Sequence, residues 1–333
     1  MPCKPRVALI GTGGTITSLG RDSLDLQDYS LTGQRMHPAQ VLEMFPQACV
    51  HATVVPVDFK AIPSPEIEPA DWKALVETID RSYEADPALA GFVILHGTST
   101  LEETAYALNL LAKVPVPIVL VGAQRPASAL SSDAGLNLVN AIRVAADPQS
   151  RGLGVLVLLN DEIQAAREVT KTSMYRLQAF QSPDFGALGH VDGDSLNYYR
   201  RPIRRGAPNT EFDIRPLPAL PRVDIAYSYA GADGAAIEAF VAAGAQGIVS
   251  GSLAPGYNAP REYEALQAAA ESGVIIVHSS RVGSGRNFPL HPSRMAGFVG
   301  ADNLNPQKAR ILLACALTRT RDRDQIARMF ATY

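Results

Sequence analysis

Val7-Ala8-Leu9-Ile10-Gly11-Thr12-Gly13-Gly14-Thr15-Ile16 is the stretch that decides the fold. Four apolar residues without polar alternation read as a strand covered on both faces. The glycines behind them turn the chain at the strand's carboxyl edge, where open α/β sheets place ligands. Outward from there the rhythm repeats. Apolar runs over 53–57, 92–95, 118–121 and 153–159 read as strands, and amphipathic patterns over 70–82, 102–111 and 134–145 read as helices. Such alternation predicts βαβ units on a mainly parallel sheet flanked by helices.

The pattern breaks over 202–222, with prolines at 202, 208, 216, 218 and 221 and a basic cluster at Arg200, Arg201, Arg204 and Arg205. This predicts an exposed, proline-rich connection. Beyond it, strands over 223–227, 247–250 and 274–278 alternate with helices over 235–243, 261–272 and 306–317. The expected class is therefore α/β, with a larger N-terminal domain over 1–201, a linker over 202–222, and a smaller α/β domain over 223–333.

A chain of 333 residues is long enough for two such cores. With 47% apolar residues it is not a disordered chain, and its longest apolar runs fall well short of the roughly 18 residues of a membrane span. A soluble protein without a membrane partner is expected. A net charge of −3 supplies no positive field for phosphodiesters, so nucleic acid is not an expected partner. Three scattered cysteines and six scattered histidines make neither a disulfide framework nor a metal-ligand spacing, so no metal is expected. The start of the chain runs into an apolar segment too short for a secretion signal, which predicts a cytoplasmic location. Chemistry must then come from hydroxyls, carboxylates, lysines and backbone amides.

Three places offer them. The turn after the first strand presents Thr15; a dinucleotide fingerprint would require glycine where Ile16 stands, and no Gly-Lys-Ser/Thr follows to make a phosphate loop. A tight turn alone would explain the glycines but not the threonine. After the third strand, His96-Gly97-Thr98-Ser99-Thr100-Leu101-Glu102-Glu103-Thr104 places the Thr98 hydroxyl at a helix start whose backbone amides suit an oxyanion, and Ser99 or Thr100 with Glu102 or Glu103 resembles a capping box. Beyond the fifth strand, Val169-Thr170-Lys171-Thr172 holds a lysine that, taken alone, reads as a solvated surface group.

Taken in order, these three motifs resemble the bacterial asparaginase and glutaminase-asparaginase family. The resemblance extends through 121–126, Ser132-Asp133, Asn137-Leu138 and 304–310, and covers essentially the whole chain. It implies a threonine-nucleophile amidohydrolase with an asparaginase-like fold, in which a threonine acyl-enzyme forms with loss of ammonia or an amine. On that resemblance Thr15 is the nucleophile on a flexible lid and Tyr29 the lid tyrosine, while Thr98 and Lys171 are the second threonine and its basic partner. Ser64 holds the substrate's α-carboxylate, Ser99 lies against the substrate, and the carbonyl of Ala123 contacts the reacting amide. The resemblance further implies no cofactor, a small-molecule amide substrate, and a homo-oligomer, dimer or tetramer, with sites between subunits. The chemistry is coherent, because a lysine whose pKa is lowered by desolvation can take a threonine's proton.

The departures concentrate on one substrate group. Position 99 is serine where the family has an aspartate for the α-ammonium, and Pro65 stands where well-studied members have a glutamine. The 251–258 loop lacks the family's asparagine in register, although Asn258 is near enough to stand in. No acid lies over 281–294, where the family's neighbouring subunit contributes a glutamate; Arg286, His291 and Arg294 stand there instead. A charge-assisted contact is worth about 1.5–3 kcal/mol, so losing two or more weakens α-ammonium recognition about a hundredfold or beyond. The expected substrate is L-asparagine-like, or a carboxylate-bearing amide without a free α-ammonium. The competing reading is a catalytically weak binder or regulator on the same fold; a third, a nucleotide-dependent oxidoreductase, predicts dinucleotide binding.

Overall fold

The computed structural model describes residues 4–287 and 297–333. Its first strand, β1 (Arg6–Gly11), is followed by helix α1 (Pro38–Met44), β2 (Thr53–Val57), α2 (Pro69–Ala85), β3 (Leu89–Leu95), α3 (Leu101–Leu111), β4 (Ile118–Val121), α4 (Ala134–Ala146) and β5 (Val155–Leu159). Five short strands follow: β6 (Glu162–Ala165), β7 (Thr170–Lys171), β8 (Phe180–Gln181), β9 (Gly189–Val191) and β10 (Leu196–Tyr198). The larger sheet has the order β10-β9-β6-β5-β4-β3-β1-β2. Strands β2 through β5 are mutually parallel, and the β6–β9–β10 edge is antiparallel.

Both faces are covered, as the unbroken apolar strands require. One face joins Val7, Leu9, Val93, Leu95 and Val119 to Leu138 and Ile142 of α4 in a single cluster. The alternate residues Ala8, Ile10, Phe92, Ile94 and Leu120 are equally buried. Expected helix and strand positions are met within a few residues. The antiparallel edge lies outside those expectations, because strands of two to four residues carry too few positions to show a period. Strand β5 starts two residues later than expected, after Gly154 bends the chain with φ +76°.

The chain divides into two compact units, Met1–Thr210 and Glu211–Tyr333. In the second, β11 (Val223–Tyr227), α5 (Ala235–Ala242), β12 (Gly247–Ser252), α6 (Pro260–Glu271), β13 (Ile275–Ser280), β14 (Val299–Gly300), α7 (Pro306–Leu317) and α8 (Arg323–Thr332) build a parallel sheet of order β11-β12-β13-β14. The proline-rich stretch forms no helix or strand, but it is not exposed throughout. Ile203 stands open to solvent, whereas Phe212 and Ile214 are buried, and Phe212 stacks obliquely on Tyr333 at 5.0 Å. Among the described residues, no helix is long and apolar enough to cross a membrane.

Candidate active site

The order β2-β1-β3-β4-β5 reverses direction between β1 and β3. Chains leaving these neighbours head to opposite faces and open a crevice at their carboxyl ends, the usual ligand position in such sheets. Here that crevice is a cavity of about 430 Å³, and Thr15, Tyr29, Ser64, Thr98, Ser99 and Lys171 all line it.

Thr15 opens a single 3-10 turn, Thr15–Thr17, behind Gly13 and Gly14, whose φ angles of +103° and +92° suit only glycine. The hydroxyls of Thr17 and Ser18 both donate to the Gly14 carbonyl, at 3.0 and 2.9 Å, which holds the turn. Ile16, where a nucleotide fingerprint would need glycine, is a fully buried core residue. The Thr15 hydroxyl lies 2.8 Å from the Tyr29 hydroxyl. Tyr29 arrives on a loop pinned at several points. The Arg21 and Asp28 amides donate to the Asp25 carboxylate at 3.1 and 3.0 Å, keeping its pKa below the ordinary range, and Leu130 N–H donates to the Ser23 carbonyl at 2.8 Å.

Thr98 follows β3 and is buried. Lys171 Nζ donates to its hydroxyl at 2.8 Å, so the lysine's direct partner is Thr98 and not Thr15. The lysine sits on the β7–β8 hairpin, and its backbone N–H donates to Glu102 Oε1 at 3.3 Å, which ties the hairpin to α3. Burial pushes the Lys171 pKa down, and the Glu102 carboxylate partly opposes that.

Ser64 lies in a 3-10 turn, Ser64–Glu66, buried against Gly97, where a Cβ would fall 2.5 Å from its hydroxyl oxygen. The expected capping box at α3 is absent. Thr100, the N-cap, makes no side-chain cap, and its hydroxyl instead donates to the Ser64 carbonyl at 2.7 Å, joining two walls of the cavity. Ser99 is exposed at the cavity wall, and Pro65 lines it as well. Ala123 is fully buried at the end of β4 and is not among the lining residues, although its neighbour Gln124 is.

Among the described residues, the lining contains no carboxylate and two basic side chains, Lys171 and Arg35. Arg35, Gln124, Met174 and Tyr175 lie outside the sequence expectations. The last two sit three and four residues past Lys171, a spacing that signals proximity once the lysine is placed. Asn258, in the second unit, is fully committed there: its amide donates to Ser250 and Glu262 at 2.8 and 3.0 Å, and its oxygen faces His278 Nε2 at 2.8 Å. Arg286 pairs with Asp302 at 3.1 Å, while His291 and Arg294 lie outside the described residues.

Comparison with known proteins decides the family. Residues 6–204 match the model "Asparaginase, N-terminal", and residues 222–330 match "Glutaminase/Asparaginase C-terminal domain". The chain belongs to the asparaginase family. This asparaginase-family chain is 39% identical to the probable periplasmic L-asparaginase of Haemophilus influenzae, over 99% of the chain and 93% of that protein. It is 38% identical to the glutaminase-asparaginase of Pseudomonas aeruginosa, over 98% and 90% respectively. The solved structure of a probable cytoplasmic L-asparaginase from Campylobacter jejuni superposes with a TM-score of 0.94 at 36% identity, covering 99% of this chain and all of that one. For an asparaginase-family member, the α/β architecture of two unequal parallel-sheet units is the expected one, and a nucleotide-dependent oxidoreductase is not.

Proposed function

We propose that this asparaginase-family protein is an amidohydrolase that cleaves a linear, carboxylate-bearing amide through an acyl-enzyme on Thr15. The observation that carries the reading is the pairing of two threonine hydroxyls in one cavity with two different partners, Tyr29 and Lys171. Thr15 attacks the amide carbonyl while its proton passes through the Tyr29 hydroxyl, which gives up its own proton to the departing nitrogen, so the C–N bond breaks with release of ammonia and an ester is left on Thr15. Water then attacks the ester, giving the free acid and restoring Thr15. Lys171, held on Thr98 with a lowered pKa, is the base for a water presented at Thr98. Ser64 holds the carboxylate; the contact of the Ala123 carbonyl with the reacting amide rests on the family resemblance alone, since Ala123 itself is not among the lining residues. No cofactor has a part in these steps.

The preferred substrate lacks a free α-ammonium. In support, Ser99 and Pro65 line the cavity, and among the described residues no carboxylate does. Steady-state assays run in parallel on asparagine, glutamine and succinamate test this. Succinamate is expected to match or exceed asparagine in kcat/KM, and Ser99→Asp to move the ratio toward asparagine about tenfold or more. A wild-type preference for asparagine of several orders of magnitude overturns the reading. The same family resemblance supports a cytoplasmic homo-oligomer, dimer or tetramer, with sites between subunits; light scattering that finds a monomer overturns that part.

A further inference from the structure

Arg35 is the one charged side chain of the cavity lining without a partner among the described residues. Its backbone is fixed close to the nucleophile, because Ser18 and Arg35 form an antiparallel bridge and Met36 N–H donates to the Thr17 carbonyl at 2.8 Å. Arg35 is half-buried and belongs to the cavity lining. Elsewhere on the same loop charges are matched: Arg21 pairs with Asp25 and Asp28 at 3.1 and 3.2 Å. A guanidinium cannot lose its proton, and its planar fork of donors fits a carboxylate in bidentate fashion. Lys171, the other lining cation, is committed to Thr98.

We propose that Arg35 is a specificity-determining residue that pairs with a carboxylate on the substrate's non-reacting end, and that the cavity therefore selects monoamides of dicarboxylic acids carrying net negative charge. This rests on the amidohydrolase reading above and adds the residue that reads the anion.

The test compares Arg35→Gln and Arg35→Lys with the wild type on three substrates: succinamate, which is an anion, asparagine, which is a zwitterion, and butyramide, which is neutral. Inhibition by succinate is measured alongside. Arg35→Gln is expected to lower the succinamate-to-butyramide ratio of kcat/KM about tenfold or more, mainly through KM, and to weaken succinate by a similar factor, with Arg35→Lys recovering part of both. The thermal midpoint confirms that each variant is folded. An unchanged ratio together with unchanged succinate inhibition overturns the Arg35 proposal, even if the wild type proves to prefer asparagine. Should the wild type hydrolyse none of the amides, calorimetric binding of succinate to the wild type and to Arg35→Gln decides it: equal affinity overturns it and weaker binding to the variant supports it.

Discussion

At the scale of single residues, the pH dependence of activity follows from two neighbours. As the proposed base, Lys171 acts only when neutral, so activity is expected to rise with pH through its pKa, which burial has brought below the ordinary lysine range while Glu102 holds it back. Glu102→Gln keeps an oxygen for the Lys171 backbone N–H but removes the charge that favours the ammonium. The acid limb of the kcat/KM profile is therefore expected to move to lower pH in that variant; a limb that stays in place or moves up contradicts the assignment of Lys171 as base. That Thr15, Thr98 and Lys171 share one cavity was legible because each stands a fixed step beyond a strand end in a recognisable string of residues. Arg35 was not: twenty residues separate it from Thr15, and the backbone pairing of its segment with Thr17 and Ser18 brings it back. Thr100 shows the opposite failure, since a capping pattern correct in composition yields to a tertiary hydrogen bond with Ser64.

At the scale of elements, the catalytic geometry depends on two turns pressed backbone to backbone. A Cβ on Gly14 would run into the Cα and N of Gly97, and φ of +92° is itself unfavourable for any other residue. Gly14→Ala is expected to cost on the order of 1–3 kcal/mol of stability from the strained backbone. The larger effect falls on rate, because an ångström of separation between the Thr15 and Thr98 turns lowers kcat about a hundredfold. Thermal unfolding and steady-state rates measured on the same preparation check this, and a variant with wild-type turnover contradicts it. The parallel strands that set these turns were readable from unbroken apolar runs. The β6–β10 region was not, yet it includes the hairpin that carries Lys171, so the sequence motif located the lysine while the element beneath it stayed hidden.

At the scale of the whole molecule, both units carry a buried histidine that stays neutral. His96, at the end of β3, donates from Nδ1 to the Gly97 carbonyl at 2.7 Å, and burial lowers its pKa to about 4; His278 of β13 is lowered to about 4 by the same cause. The unfolded chain takes up these protons near pH 6.5, before the native state does. Stability is thus complete above pH 6.5 and is lost as pH falls toward 4, by up to about 3 kcal/mol for each ring. Urea unfolding between pH 7 and 4.5 checks this, and a flat profile contradicts it. The α/β class was legible from strand rhythm, and the chain divides between Thr210 and Glu211, inside the stretch where that rhythm breaks. The open reading of the 202–222 stretch failed because Phe212 and Ile214 pack inward, which isolated apolar residues among prolines do not announce. The proposed function stands on amide cleavage by way of an ester on Thr15. Rapid acid quench during turnover of succinamate, followed by peptide mass spectrometry, looks for that ester. A succinyl adduct on Thr15, absent from Thr15→Ala, is expected; turnover with an adduct on another residue, or undiminished turnover by Thr15→Ala, overturns it.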